Sequence, residues 1–175
     1  MPFLTDMVLT KYIREPGVTE LVIPDGITKV GDCAFKNCTE LESVSIPEGV
    51  TTIGYLAFKN CTNLRSVKLP GSVEVIRAFA FENCTSLTSI ELPCRLSSID
   101  QGAFLNCESL TSVEIPDSVK EIGRFWDFWF DTVGVFEGCK NLREIKLGTD
   151  PNFVISDGAL WTKDMSEKLF DLAVE

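Results

Sequence analysis

Leu41-Glu42-Ser43-Val44-Ser45-Ile46-Pro47, running on to Val50, Ile53-Gly54, Ala57-Phe58 and Cys61, is the stretch whose reading decides the fold. The same order of residue types returns every 23 residues. Prolines stand at 24, 47, 70, 93 and 116, and cysteines at 38, 61, 84 and 107. Cys139 falls into phase once a nine-residue insertion is removed. Leu21, Val44, Val67, Ile90, Val113 and Ile145 form one apolar column, and Ile23, Ile46, Leu69, Leu92, Ile115 and Leu147 form the next. Phe35, Phe58, Phe81, Phe104 and Phe136 form an aromatic column. Self-similarity at a fixed period of this length marks a stacked repeat, in which like residues lie over like.

Within one unit, Leu21-Val22-Ile23 alternates in, out, in, which is the period of a strand. Pro24 cannot donate to a ladder and ends it, and Asp25-Gly26 makes a turn. Ile27 and Val30 belong to a second, shorter extended piece, closed by Gly31. Ala34-Phe35 and Asn37-Cys38 fit one helical or 3₁₀ turn with the phenylalanine inward. The glycine at 31, 54 and 123 is replaced by Arg77 and Asp100, so either this corner needs no positive φ or those coils turn differently.

The chain has 175 residues, 45% of them hydrophobic, which suits one domain with a sizeable core. A net charge of −10 argues against nucleic acid and anionic membrane surfaces as partners. There is no histidine, which removes every Ser-His-Asp, Cys-His and His-metal arrangement. No P-loop, dinucleotide glycine fingerprint or nucleophile elbow is present, so we expect no enzyme and no cofactor. Five of the seven cysteines share one repeating column and read as a packed ladder, not as disulfides or metal ligands. Cys33 and Cys94 stand outside it. No stretch approaches the length of a membrane span, and Met1 to Thr10 does not read as a signal peptide. The expected compartment of the chain as given is the cytoplasm; the alternative, for a trimmed fragment, is a secreted or surface protein.

Three Asn-Cys-Thr sequons, at Asn37, Asn60 and Asn83, are products of the repeat, and their asparagines are expected to bond backbone at the corner. Residues 1–17 do not repeat and are assigned as an N-terminal cap, and 149–175 as a C-terminal cap. In the latter, Phe153-Val154-Ile155 is expected to add a strand. Ser166 is expected to cap a short helix carrying Leu169, Phe170, Leu172 and Ala173.

Two surfaces are candidates for binding. Outward residues of successive strands form one line of Glu20, Ser43, Ser66, Ser89, Ser112 and Glu144, and a second of Val22, Ser45, Lys68, Glu91, Glu114 and Lys146. The four serines keep that face open, and Lys68 lies beside Glu91 as Glu114 lies beside Lys146. The face is either a solvated surface or a partner site. The other candidate is the insertion at 125–133, where Phe125, Trp126, Phe128, Trp129 and Phe130 place five aromatics in seven residues. Rings this dense pack back on the stack, meet a protein partner, or form a carbohydrate platform with Asp127 and Asp131 as acceptors.

The pattern carried by Leu41, Val44, Ile46, Pro47, Val50, Ile53, Gly54, Ala57, Phe58, Asn60 and Cys61 resembles the BspA-like leucine-rich repeats of bacteria and some protists. The resemblance covers about residues 18–148, as six repeats. Phe3 to Tyr12 and Phe153 to Lys163 also resemble the atypical pieces that flank such blocks. It implies a β-rich α/β repeat solenoid, a right-handed superhelix with parallel strands on the concave face, short helical corners and non-repeat caps. It also implies binding and surface-adhesion roles, typically in exported proteins, and brings no catalytic motif. The expected function is a non-catalytic protein-binding module, with an adhesin fragment that binds host protein or glycan as the alternative.

Overall fold

The structure is a computed structural model that describes residues 8–9, 17–123, 133–149, 151–156, 159–163 and 168–171. In chain order the strands are β1 (Val8–Leu9), β2 (Glu20–Val22), β3 (Lys29–Val30), β4 (Ser43–Ser45), β5 (Thr52–Ile53), β6 (Ser66–Lys68) and β7 (Val75–Ile76). They continue as β8 (Ser98–Ile99), β9 (Ser112–Ile115), β10 (Glu121–Ile122), β11 (Glu144–Leu147), β12 (Phe153–Ser156), β13 (Ala159–Thr162) and β14 (Lys168–Asp171).

The repeat period becomes the register. Val44 lies beside Val67 and Ile53 beside Ile76, each pair 23 residues apart, in parallel ladders. The first strand of each coil builds β2-β4-β6 and β9-β11, and the second builds β1-β3-β5-β7-β8-β10. Val8–Leu9 pairs with Lys29–Val30, so the lead-in supplies a first rung before the repeats begin. The face that packs inward is apolar throughout: Val30, Val50, Ile53, Ile76 and Ile99 are buried in one continuous core.

The aromatic column stacks as the spacing requires. Ring centroids of Phe35–Phe58, Phe58–Phe81, Phe81–Phe104 and Phe104–Phe136 are 4.9, 5.2, 5.4 and 5.6 Å apart, with planes within 8° of parallel. Cys38, Cys61, Cys84, Cys107 and Cys139 are buried beside them, and all seven cysteines are free thiols.

The corners are not helical. Among the described residues there is no helix, and each expected helical turn is a run of β-turns. Amides alternate in what they bond. Ala34, Lys36 and Cys38 donate within the coil, to Gly31, Cys33 and Phe35. Cys33, Phe35 and Asn37 donate across to Tyr55, Ala57 and Lys59 of the next coil. Left-handed φ at Cys33 (58°) and Asn37 (65°) turns every second amide outward, which a helix cannot do. The corner thereby becomes a third inter-coil ladder and satisfies backbone groups that burial would otherwise orphan. Gly31 and Gly54 do not carry positive φ, whereas Gly123 of the same column does (78°); the left-handed positions that recur through the corners are Cys33, Leu56, Phe79 and Gly102, then Asn37, Asn60, Asn83 and Asn106.

The asparagines do not bond backbone with their side chains, as expected from sequence, but each other. Asn60 Nδ2 donates to Asn37 Oδ1 at 2.8 Å, Asn83 to Asn60 at 2.8 Å and Asn106 to Asn83 at 2.9 Å.

At the far end, β12, β13 and β14 form an antiparallel meander with Phe153, Ala159 and Leu160 buried. The strand expected at Phe153 forms, but the helix expected around Leu169 does not. Lys168–Asp171 extends the sheet instead, because pairing with β13 bonds its backbone where a local helix would have to do so alone. Asn152 ties this end to the stack, donating from Nδ2 to the carbonyls of Asp117 and Val119.

Candidate functional site: the strand face

Alternation along each first strand sets this face. In β4, Val44 is buried while Ser43 and Ser45 point outward; in β6, Val67 is buried while Ser66 and Lys68 are exposed. Stacking at about 4.8 Å then aligns them. Glu20, Ser43 and Ser66 are consecutive partners, as are Val22, Ser45 and Lys68. Farther along, Ser112 lies opposite Glu144 and Glu114 opposite Lys146.

The face is interrupted at one coil. Residues 88–92 form no strand, and Ser89 and Glu91, exposed as Ser66 and Lys68 are, lie between two separate sheets. Ser89 and Glu91 still help to line a groove of about 640 Å³ that also touches Glu20, Ser43, Ser66 and Lys68. Ladder pairing thus joins Ser43 and Ser66 on one side and holds Ser112 and Glu114 on the other. The break lies on this face alone, since Phe81 and Phe104 remain stacked.

The expected charge contacts differ in detail. Lys146 Nζ pairs with Glu144 Oε2 on its own strand, at 3.6 Å, although Glu114 is its cross-strand neighbour. No ion pair joins Lys68 to Glu91 among the described residues. Such exposed contacts contribute little to stability. What they leave is a face with four carboxylates (Glu20, Glu91, Glu114, Glu144) and two ammonium groups (Lys68, Lys146).

Val22 belongs with these residues. It is 75% exposed, at the edge of the same groove. Sequence held the signal: Val22 is the one apolar member of an otherwise polar outward column. The aromatic candidates Phe125, Trp126, Phe128, Trp129 and Phe130 lie outside the described residues. No group of three His, Cys, Asp or Glu side chains among the described residues is placed to hold a metal ion. No helix among them is long and apolar enough to cross a membrane.

A profile described as "BspA type Leucine rich repeat region (6 copies)" matches residues 12–126. The chain belongs to the BspA-type leucine-rich repeat family. Among solved structures, this BspA-type chain is similar to the leucine-rich repeat protein of T. pallidum, at 35% identity and a TM-score of 0.67, over 79% of this chain and 73% of that one. It is also similar to a leucine-rich cell surface protein of Faecalibacterium prausnitzii, at 30% identity and a TM-score of 0.73, over 82% of this chain. A leucine-rich repeat protein of Bacteroides ovatus matches at 28% identity and a TM-score of 0.63, over 84% of this chain. The chain spans 35% and 41% of the length of those last two proteins. No curated protein sequence matches it.

Proposed function

We propose that the chain is a non-catalytic protein-binding module whose strand face receives a partner. The observation that carries this reading is the groove of about 640 Å³ across that face, edged by an apolar residue, Val22, that is 75% exposed. Small serines let a partner approach closely, and exposed apolar surface beside polar groups is the usual make-up of an interface. The spacing of the phenylalanine rings, 4.9 to 5.6 Å, exceeds the roughly 4.8 Å between paired strands. In this reading the aromatic side fans out and the strand side is concave. The right-handed winding of related repeats belongs to the same reading. Trp126 and Trp129 of the insertion supply a second contact.

The test is affinity capture with three forms: the wild type, Ser43→Lys with Ser66→Lys, and Trp126→Ala with Trp129→Ala. Partners held by the wild type are lost from the serine double variant and weakened with the tryptophan double variant. Capture of the same proteins at the same strength by all three removes both surfaces from the reading.

A second reading places the same face outside the cell, as an adhesin fragment that binds host protein or glycan. It is supported by the similarity, at 30% identity, to a leucine-rich cell surface protein. Surface labelling of intact producing cells tests it: labelled chain supports the exterior, and unlabelled chain recovered wholly inside supports the cytoplasm.

A further inference from the structure

A second groove, of about 700 Å³, runs along the corner that follows the second strands. Gly31, Gly54 and Ala78 line it, together with Tyr55, Arg77 and Asp100. Its size is that of small-ligand sites, about 300–1,000 Å³.

Three adjacent columns of the repeat vary here, the third being Cys33, Leu56, Phe79 and Gly102, while the columns on either side hold. Ala34, Ala57, Ala80 and Ala103 recur, as do the phenylalanines beside them. The groove columns instead read Gly31, Gly54, Arg77, Asp100 and Asp32, Tyr55, Ala78, Gln101. Glycine in the first column has a packing reason: a Cβ on Gly54 would lie 2.6 Å from the carbonyl carbon of Gly31. Arg77 and Asp100 give up that close approach. They face each other at 3.7 Å, with the Asp100 side chain 14% exposed. Burial pushes the Asp100 carboxyl up, against the pull of Arg77. With the Arg77 side chain half exposed, the pair contributes little to stability.

Tyr55 is held for contact. Its amide donates to Asp32 Oδ1 at 2.9 Å and its carbonyl accepts from Cys33 at 2.8 Å. Its ring meets Phe79 edge-on, with centroids 6.2 Å apart and planes at 77°, and the residue is 40% exposed. The charges around it balance. In a chain of net charge −10, the groove collects Lys29 and Arg77 against Asp32 and Asp100. Local neutrality with both donors and acceptors suits an uncharged, hydroxyl-rich ligand. An electron-rich ring face suits the C–H face of a sugar.

We propose that this corner groove binds a neutral saccharide, one ring face against Tyr55 and its hydroxyls bonded to Arg77, Asp100 and Asp32. The site is separate from the strand face and does not depend on the protein-binding reading.

The full chain is applied to an array of immobilised neutral oligosaccharides (cellotriose, chitotriose, maltotriose, xylotriose) beside charged ones, and titrated calorimetrically with the best binder. Retention of at least one neutral oligosaccharide is expected. Tyr55→Ala weakens it about tenfold or more, while Tyr55→Phe retains it. Arg77→Gly, which restores the residue type found at Gly31 and Gly54, also weakens it and serves if Tyr55→Ala does not fold. Ser43→Lys with Ser66→Lys leaves it unchanged. Retention of charged oligosaccharides alone, of none, or of neutral ones equally by Tyr55→Ala and Arg77→Gly would overturn the proposal.

Discussion

The thiol of Cys84 donates to the carbonyl oxygen of Phe58 at 3.3 Å, reaching back one full coil. The relationship recurs from Cys61 to Phe35, Cys107 to Phe81 and Cys139 to Phe104, each at 3.2 Å. Each phenylalanine carbonyl also accepts the amide of the cysteine in its own coil, as Phe58 does from Cys61. The thiol therefore fills a small apolar space and gives the carbonyl a second, weak donor.

Thiol chemistry divides accordingly. Cys33 and Cys94 are exposed and the other five thiols are buried. Native protein treated with an aromatic disulfide reagent near neutral pH should release two equivalents of chromophore promptly. The other five should react only in denaturant. Fast reaction of all seven would contradict the ladder.

The same burial sets an alkaline limit. Loss of hydration pushes the thiols of Cys61 and Cys139 from 9.0 up to about 12, and raises Cys84 and Cys107 as well. The folded state thus keeps protons that the unfolded chain releases from about pH 9 upward. Stability from these groups is full below pH 9 and is lost as pH rises toward 12. Melting temperature should fall steadily above pH 9, and Cys84→Ala with Cys107→Ala should flatten that fall. An unchanged slope would place the alkaline loss elsewhere.

Glycines at equivalent sharpness in sequence differ in the fold. A Cβ on Gly54 would lie 2.6 Å from Gly31 C and 2.7 Å from Val30 O, whereas one on Gly71 meets nothing within 4 Å. Gly54→Ala should destabilise by about 1–3 kcal/mol, as overpacking does. Gly71→Ala should change stability by less than about 0.5 kcal/mol. Urea midpoints at constant slope make the comparison.

Asn83 both bonds its ladder neighbours and holds φ at 59°. Asn83→Gly should lose only the side-chain bonds, about 1–2 kcal/mol, and Asn83→Ala should cost about 1 kcal/mol more for the left-handed backbone. Equal losses would mean that the backbone is not held there.

These residues show what sequence could and could not reveal. The strands, the phenylalanine stack and the buried thiols were legible because a fixed period puts identical side chains in identical surroundings. The corners were not. Ala34, Phe35 and Cys38 have the spacing of a helical turn, and nothing in Leu56 or Phe79 as residue types announces a left-handed φ of 56° or 57°. The missing ladder at 88–92 is equally silent, since Ser89-Ile90-Glu91 alternates like its neighbours. At the C-terminal end, the apolar spacing of Leu169 and Phe170 suited a helix, and tertiary pairing with β13 decided otherwise. On the candidate site, the serine rows followed from period and alternation, but Val22 acquires its weight only from its exposure in the fold.

The most direct test of the functional account is photo-crosslinking in the presence of captured partner. A benzophenone side chain is placed at Ser66 on the strand face or at the exposed Lys36 of a corner. Strong partner adducts are expected from position 66 and background from position 36. Adducts that form at position 36 as readily as at 66, or there alone, would contradict a partner site on the strand face.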